Sequence, residues 1–151
     1  MAENPRAKIL VVDDEAAQMK ALCDTLRDHG YQTTGFVSAQ TALRAMEETK
    51  FDLLLTDLMM PEMDGISLLQ AVEQKDPDLV AVIMTGEGTI TTAVEAMKSG
   101  ALDYILKPFK LKAILPVLDR ALAVRRLRLE NSRTRLCPYR LRLPQSMPRA
   151  R

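Results

Sequence analysis

The stretch FDLLLTDLMMPEMDG, residues 51–65, joins an apolar run to a polar tip. Its aliphatic run ends at Asp57, and a Met-Met-Pro turn follows. A short aliphatic run of this kind is typical of a strand that is buried on both faces of a parallel sheet. Such a strand would bring a carboxylate to the edge of the sheet.

Similar apolar runs recur along the chain, each followed by a turn or a polar residue. They are short and aliphatic, as expected of buried strands: KILVV (8–12), FDLLL (51–55), LVAVIM (79–84) and ALDYIL (101–106). A fifth run, YQTTGFV (31–37), is more polar, which predicts a strand at an edge of the sheet.

Helical patterns separate these runs. Apolar residues follow helical spacing in four segments: Met19, Leu22, Cys23 and Leu26; Ala42, Leu43 and Met46; Leu68, Leu69 and Val72; and Ile90, Ala93, Val94 and Met97. Ser38 is a suitable N-cap, while Gly30 and Gly100 stand where helices would end. The order β-α, repeated five times, predicts a doubly wound α/β fold, with a parallel sheet and helices on both faces.

Size and composition indicate one globular domain. The chain has 151 residues, of which 47% are hydrophobic and 27% charged. No apolar run is long enough for a membrane helix, and the N-terminus MAENPRAKILVVDD does not have the pattern of a signal peptide. Cys23 and Cys137 are interpreted as unrelated thiols rather than a disulfide, so a cytoplasmic location without membrane partners is expected.

Polar residues stand at the ends of four predicted strands. Asp13 and Asp14 follow the first strand, Asp57 the third, Thr85 the fourth and Lys107 the fifth. A single polar residue at such a place is explained by solvent, but the whole set is not. In open parallel sheets, ligands bind outside the carboxyl ends of the strands, so this set predicts a site there.

The residue types indicate phosphoryl chemistry with a metal ion. Three carboxylates at one edge repel each other, and a hard cation such as Mg²⁺ relieves that repulsion. A phosphoryl group needs its oxygens neutralised, which Lys107 can do as a point charge and Thr85 as a hydrogen-bond donor. A carboxylate is an adequate nucleophile for phosphorus, so Asp57 is placed to form an aspartyl-phosphate.

Four motifs in this order carry a family resemblance: VVDDE (11–15), LLLTDLMMPEMDG (53–65), VIMTGEG (82–88) and DYILKPF (103–109). They resemble the receiver domain of bacterial two-component response regulators, over about residues 7–125. The resemblance implies a flavodoxin-like (β/α)5 fold with strand order 2-1-3-4-5. It also implies a phosphorelay protein rather than an enzyme, whose only chemistry is its own phosphorylation and dephosphorylation.

The resemblance also assigns roles to the site. It implies that Asp57 is the phospho-acceptor and Lys107 the phosphate-binding lysine. Mg²⁺ would be held by Asp13, Asp14, Asp57 and the backbone carbonyl of Met59. The phosphoryl donor would be a phosphohistidine on a sensor histidine kinase or a phosphotransfer protein.

The same resemblance implies a conformational switch. Thr85 would be the switch hydroxyl and Tyr104 the switch aromatic, and the peptide bond between Lys107 and Pro108 would be cis. After phosphorylation, Thr85 would move toward the phosphoryl group and Tyr104 would turn into the space left. The face formed by helix four, strand five and helix five would then change and be read by an output domain or partner.

Two other functions stay open at this point. A haloacid-dehalogenase-like phosphatase also uses an aspartate nucleophile and Mg²⁺, but it needs a second Asp two residues later, where this chain has Met59. An interaction module that never uses its phosphosite is the other alternative, and the intact polar set argues against it. No phosphate-binding glycine loop occurs, and His29, the only histidine, is interpreted as a helix-end residue.

The C-terminal part has a different composition. Residues 120–151 hold ten Arg and one acidic residue, whereas residues 1–119 hold 11 basic and 19 acidic residues. The predicted division is a receiver at 1–125 and a basic helical extension, linker or disordered tail at 126–151. Such a tail suggests nucleic acid only weakly, because it contains no DNA-reading motif.

The last helix is predicted to begin after Phe109 and to continue past Leu122, with Pro116 in its first turns or at a kink. Leucines at intervals of seven suggest a homodimeric coiled coil: Leu115, Leu122, Leu129 and Leu136. Arg125 and Ser132 stand where the second apolar residue of each heptad should fall, so an amphipathic helix end is the favoured interpretation.

Overall fold

The computed structural model describes residues 7–86 and 90–135, except for the side chains of residues 133–135. Within these residues, five strands alternate with five helices. The strands are β1 (Lys8–Val12), β2 (Gln32–Phe36), β3 (Leu53–Asp57), β4 (Val80–Thr85) and β5 (Asp103–Leu106). The helices are α1 (Ala16–Asp28), α2 (Ala39–Ala45), α3 (Gly65–Lys75), α4 (Ile90–Lys98) and α5 (Leu111–Arg135). The predicted β-α alternation is confirmed.

The five strands form one parallel sheet in the order β2-β1-β3-β4-β5. This is the doubly wound order that the resemblance implied, and β2 lies at an edge as its polarity predicted. Ile9 pairs with Leu53, and Leu53 pairs with Val80, so the central strands are in line with one another. Their carboxyl ends therefore meet at one edge of the sheet.

Alternation along the strands produces two apolar cores, one on each face of the sheet. The first core packs the sheet against α1 and α5, which contribute the buried residues Cys23, Leu26, Ile114, Leu118 and Ala121. The second core packs it against α2, α3 and α4, which contribute Ala39, Ala42, Leu68, Leu69, Val72 and Ala96. Covering both faces explains why residues 9–12, 53–55 and 80–84 of the central strands are all apolar.

The third strand lies two residues later than its apolar run predicted. Its pairing starts at Leu53, opposite Ile9, and ends at Asp57. At the amino end, the Asp52 carboxylate accepts a hydrogen bond from the backbone N–H of Lys8 at 3.0 Å. The Asp52 side chain therefore serves as the acceptor for the Lys8 N–H in place of a backbone carbonyl. At the other end, Asp57 itself is part of the strand.

The apolar stripe that predicts α4 does not face a core. Ile90, Val94 and Met97 are 84%, 45% and 46% exposed. Within α4, all of whose residues the structure describes, Ala96 is the only buried residue. The spacing correctly predicted a helix, but the stripe on it faces solvent.

The predicted helix ends are confirmed. Gly30 and Gly100 have φ values of 93° and 110°, in the left-handed region that glycine adopts without steric strain. The Ser38 hydroxyl accepts a hydrogen bond from the backbone N–H of Gln40 at 3.2 Å, as an N-cap does. His29 is the C-cap of α1.

Helix α5 is 25 residues long and contains Pro116 in its second turn. It runs without a break through residue 125, where we place the end of the receiver, and that division stays a prediction. Leu136, Cys137 and the Arg-rich tail lie outside the described residues. Among the residues described, no helix combines the length and apolarity needed to cross a membrane.

Candidate functional site

The polar strand ends meet at the carboxyl edge of the sheet. Asp13 follows β1, Asp57 is the last residue of β3, and Thr85 is the last residue of β4. Thr85 pairs with Leu106 of β5, and the backbone N–H of Lys107 donates to the Thr85 carbonyl at 2.7 Å. The order β1-β3-β4-β5 therefore places these side chains side by side.

Three carboxylates form a cluster at this edge. One oxygen from each of Asp13, Asp14 and Asp57 lies within 4.8 Å of the others. Asp13 and Asp57 are buried, at 2% and 9% exposure, and Asp14 is exposed. The backbone N–H of Glu15 holds Asp13 in place by donating to its Oδ1 at 3.0 Å. The cluster is a hard-oxygen donor set of the kind that Mg²⁺ prefers.

Lys107, the residue after β5, reaches into the carboxylate cluster. Its Nζ donates to Asp13 Oδ2 at 2.8 Å, to Gln18 Oε1 at 3.0 Å and to Asp57 Oδ2 at 3.3 Å. Burial alone would lower the pKa of Lys107, but the hydrogen bond and charge of Asp13, together with Asp57, raise it above its ordinary value. The ammonium therefore stays charged and neutralises part of the cluster.

The surroundings of Asp57 make its carboxylate less favourable than it would be in water. Burial raises the pKa of Asp57, Lys107 lowers it, and Asp13 raises it again, so that the pKa lies above the ordinary aspartate value. The Lys107 ammonium thus compensates only partly for burial and for the neighbouring charge. A divalent cation bound here would supply further positive charge.

The loop after Asp57 is held close to that residue. The Leu58 N–H donates to the Met84 carbonyl at 2.8 Å, and the Gly65 N–H donates to the Leu58 carbonyl at 2.7 Å. A Cβ on Gly65 would lie 2.7 Å from the Asp57 carbonyl oxygen, so only glycine fits at the start of α3. The motif glycine therefore lets α3 begin directly against the site.

The site opens into a cavity of about 810 Å³. Asp13, Asp57, Met59, Thr85 and Lys107 all line it. Met59 is 60% exposed, whereas Thr85 is buried at 1% exposure. The cavity continues as a trough between α1 and the start of α5, where it is lined by Ala21, Leu22, Thr25, Phe109, Leu111 and Ile114.

Tyr104, the predicted switch aromatic, does not line this cavity. It lies on β5 and packs, half-buried, against the core formed with α2, α3 and α4. Its hydroxyl forms a 3.0 Å hydrogen bond with the hydroxyl of Thr92 on α4. The peptide bond between Lys107 and Pro108 is cis, as the resemblance implied.

The family assignment follows from comparison with known proteins. A family model described as the response regulator receiver domain matches residues 9–119, which include the whole site. The chain belongs to the response regulator receiver family. The family implied by the sequence motifs is thereby confirmed.

Curated relatives of this receiver are transcriptional and response regulators. It is 42% identical over 115 residues to the transcriptional regulatory protein ZraR of Escherichia coli, and the match covers 76% of this chain and 26% of ZraR. It is 40% identical over 114 residues to the response regulator FleR of Pseudomonas aeruginosa, covering 76% of this chain and 24% of FleR. The chain thus spans about a quarter of the length of these relatives.

Solved structures share the receiver fold. The beryllofluoride-activated NtrC4 receiver domain dimer superposes with a TM-score of 0.75 at 30% identity, covering 78% of this chain and 98% of that chain. NtrX from Brucella abortus, solved in complex with ADP, has a TM-score of 0.78 at 37% identity, covering 83% of this chain and 29% of that chain.

Sequence reasoning missed one polar contact at the site and one at the predicted switch aromatic. Gln18 accepts a hydrogen bond from Lys107, and Thr92 pairs with Tyr104. Both residues lie on helices, and nothing in their sequence context distinguishes them from other surface polar residues. Only packing brings them to the site and to the switch aromatic.

Proposed function

We propose that this receiver takes a phosphoryl group onto Asp57 from a phosphohistidine of a sensor histidine kinase or phosphotransfer protein. The observation that carries the proposal is the convergence of Asp13, Asp14 and Asp57 within 4.8 Å, with the Lys107 ammonium 3.3 Å from Asp57. A nucleophile, a donor set for a cation and a fixed positive charge are the parts that phosphoryl transfer needs.

The proposed transfer needs no reactant besides Asp57 and the phosphohistidine. An Asp57 carboxylate oxygen forms a bond to phosphorus, while the bond from phosphorus to the donor's imidazole nitrogen breaks and its electron pair stays on the imidazole. Lys107 neutralises one phosphoryl oxygen, and Thr85 donates a hydrogen bond to another. Asp13, Asp14, Asp57 and the Met59 carbonyl would hold Mg²⁺, whose charge neutralises the phosphoryl oxygens.

The trough between α1 and α5 is the proposed approach for the donor. It leads from Asp57 along the exposed Ala21 and the half-buried Leu22 and Phe109. A mixed apolar and polar trough that ends at the nucleophile allows a partner helix to lie beside α1 and present its phosphohistidine to Asp57.

The proposed output lies on α4, β5 and α5. Exposed apolar side chains cover this face on two elements, with Ile90, Val94 and Met97 on α4 and Leu106, 53% exposed, on β5. Tyr104 lies on the same strand as Leu106, and its hydroxyl is hydrogen-bonded to Thr92 of α4. A turn of Tyr104 toward Thr85 would break that bond and alter the apolar face that an output domain, a partner or a second copy contacts.

The test is phosphorylation with acetyl phosphate or beryllofluoride, with and without Mg²⁺. Wild-type protein is expected to form an adduct, seen by intact mass or by fluorine NMR, only when Mg²⁺ is present. Asp57→Asn should form none, while Asp24→Asn, which removes an exposed carboxylate of α1, should behave like wild type.

Other outcomes separate the remaining functions. Steady turnover of a small phosphoester would indicate a phosphatase. The absence of any adduct at saturating Mg²⁺, with the protein folded, would overturn the proposal in favour of an interaction module that does not use its phosphosite.

A further inference from the structure

An arginine is buried at the end of the molecule opposite Asp57. Arg125 of α5 is 3% exposed, although its neighbour Arg126 is exposed. Its Nε lies 3.4 Å from Asp52 Oδ1, and its Nη1 lies 3.3 Å from Asp76 Oδ2. Asp52 precedes β3 and Asp76 precedes β4, so the cluster lies at the amino-terminal edge of the sheet.

Both carboxylates are held in place by backbone N–H groups as well as by Arg125. Asp76 Oδ1 accepts the backbone N–H of Asp78 at 3.1 Å, and Asp52 Oδ2 accepts that of Lys8 at 3.0 Å. The exposed Lys50 adds an ammonium 3.7 Å from Asp76. Arg125 therefore binds two carboxylates whose positions the backbone also fixes. We call this pair, Asp52 and Asp76, the acidic socket.

The contacts continue along α5 beyond the acidic socket. Arg128 Nη1 donates to the Leu79 carbonyl at 2.9 Å, and the Ser132 hydroxyl donates to Asp78. These partners belong to the connection between α3 and β4. The last two turns with described side chains are thus fastened to the receiver by polar groups.

Apolar burial explains this docking only as far as Val124. Leu122 and Val124 pack against the first core but are only partly buried, and of residues 122–132 Arg125 is the only one that is fully buried. Leu127 is 63% exposed. A helix of 25 residues is about 37 Å long, against about 16 Å for the five residues of β3, so α5 extends well past its apolar support.

We propose that Arg125 is a positioning residue that fastens the C-terminal half of α5 to the acidic socket. Fastened in this way, α5 is one rigid element from the phosphorylation site to residue 135, and it sets the direction in which the following segment leaves the receiver. A change at the α4, β5 and α5 face then reaches that segment as a movement of the whole helix.

Hydrogen exchange of the full chain tests the fastening. Arg125→Met removes the charge and keeps the length of the side chain, and Arg126→Met makes the same change at the exposed neighbour. We expect the amides of residues 122–132 to exchange at least about tenfold faster in Arg125→Met only, while residues 112–118 keep their protection. Equal protection of residues 122–132 in both variants would overturn the proposal.

Asp76→Asn provides a second test if Arg125→Met does not fold. It keeps the acceptor for the Asp78 N–H but removes the charge that faces Arg125. Exchange should again rise in residues 122–132 relative to α1, and unchanged protection would overturn the proposal.

The transmission of the signal is tested with Mg²⁺ and beryllofluoride, and this arm rests on the proposed function. Wild type and Arg125→Met should bind beryllofluoride equally, because the acidic socket is at the other edge of the sheet. Only wild type should then show altered exchange in residues 126–132, and an equal response in Arg125→Met would overturn the transmitting role. Failure of wild type to bind beryllofluoride would count against the proposed function and would leave the exchange test of the unmodified protein valid.

Discussion

Lys107 and Asp13, 94 positions apart in the chain, form a 2.8 Å ion pair at the edge of the sheet. The Lys107 side chain is 19% exposed and that of Asp13 is 2% exposed. Lys107 therefore places its charge on the carboxylate that a metal ion would also use. In the proposed function, the lysine would both bind the phosphoryl group and compete with the cation for Asp13.

Removing Lys107 should strengthen metal binding. In Lys107→Met the Asp13 carboxylate loses its ammonium partner, so Mg²⁺ meets more negative charge. We expect the dissociation constant for Mg²⁺, measured by calorimetry, to fall by about fivefold, or ~1 kcal/mol. Lys110→Met, which removes an exposed lysine of the same loop, should leave it unchanged. Weaker binding in Lys107→Met would show that the lysine holds the carboxylates in place for the metal.

Asp57→Asn should stabilise the metal-free protein at neutral pH. Burial and Asp13 together outweigh Lys107 and raise the pKa of Asp57. The folded state therefore disfavours the Asp57 carboxylate relative to the unfolded chain. A neutral amide removes this penalty, and Tm should rise by roughly 2–4 °C for each kcal/mol gained. Saturating Mg²⁺ should narrow or reverse the difference, because wild type then binds the ion more tightly. A lower Tm for the metal-free variant would mean that the pair with Lys107 is the larger effect.

Gly65→Ala should destabilise the receiver and impair the site together. Its new methyl group would lie 2.7 Å from the Asp57 carbonyl oxygen and 3.1 Å from the Leu58 Cα, both backbone atoms that cannot move independently. We expect a loss of about 2 kcal/mol or more in the free energy of unfolding, measured in urea. Gly86→Ala is the matched control, because no described residue other than its chain neighbour lies within 4 Å of the position that its new methyl group would take. Equal losses in the two variants would contradict this steric explanation.

Thr92→Val should ease the proposed switch. The substitution keeps the shape of the side chain and removes the hydroxyl that lies 3.0 Å from the Tyr104 hydroxyl. If Tyr104 leaves α4 on activation, the resting state loses a hydrogen bond of ~1 kcal/mol. The concentration of beryllofluoride for half-saturation should then fall by about fivefold. Thr91→Val, on the exposed neighbour, should have no effect, and Tyr104→Phe combined with Thr92→Val should add nothing to either change.

The Cys23 thiol should be protected from thiol reagents in the folded protein. It should also make the stability of the fold depend on pH. Burial raises the pKa of Cys23 above its ordinary value, so the folded state holds this proton more tightly than the unfolded chain. The stability that Cys23 contributes is therefore complete below the ordinary thiol pKa and is lost as pH rises toward the raised value. In Cys137→Ala, labelling by a thiol reagent at about pH 8, near the ordinary thiol pKa, should be slow when the protein is folded and fast in urea. Rapid labelling of the folded protein would contradict the burial of this thiol.

Much of the fold was predictable because its signals are local. Buried parallel strands need continuous apolar runs, and the five runs predicted all five strands to within two residues at each end. Ser38, Gly30 and Gly100 marked helix ends because capping depends on a few neighbouring atoms. The carboxyl ends of parallel strands share one edge, so the meeting of Asp13, Asp57 and Lys107 followed from topology.

Other features required the folded chain. The apolar stripe of α4 has the same spacing as the stripe of α1, yet Val94 is exposed while Leu26 is buried. Spacing shows that a helix has an apolar side, but not whether the protein or a partner covers it. Arg125 looked like a defect in a heptad, and its burial became explicable only with Asp52 and Asp76 beside it.

The class of fold, the family and the group of residues at the site could all be predicted from the amino-acid sequence, because periodicity and strand-end residues are properties of short segments. Tertiary structure alone decided which charges pair. Lys107 meets Asp13 across 94 positions, and Arg125 meets Asp76 across 49. An ion pair depends on distances of a few ångström, and only the packing of whole elements sets those distances between remote parts of a chain.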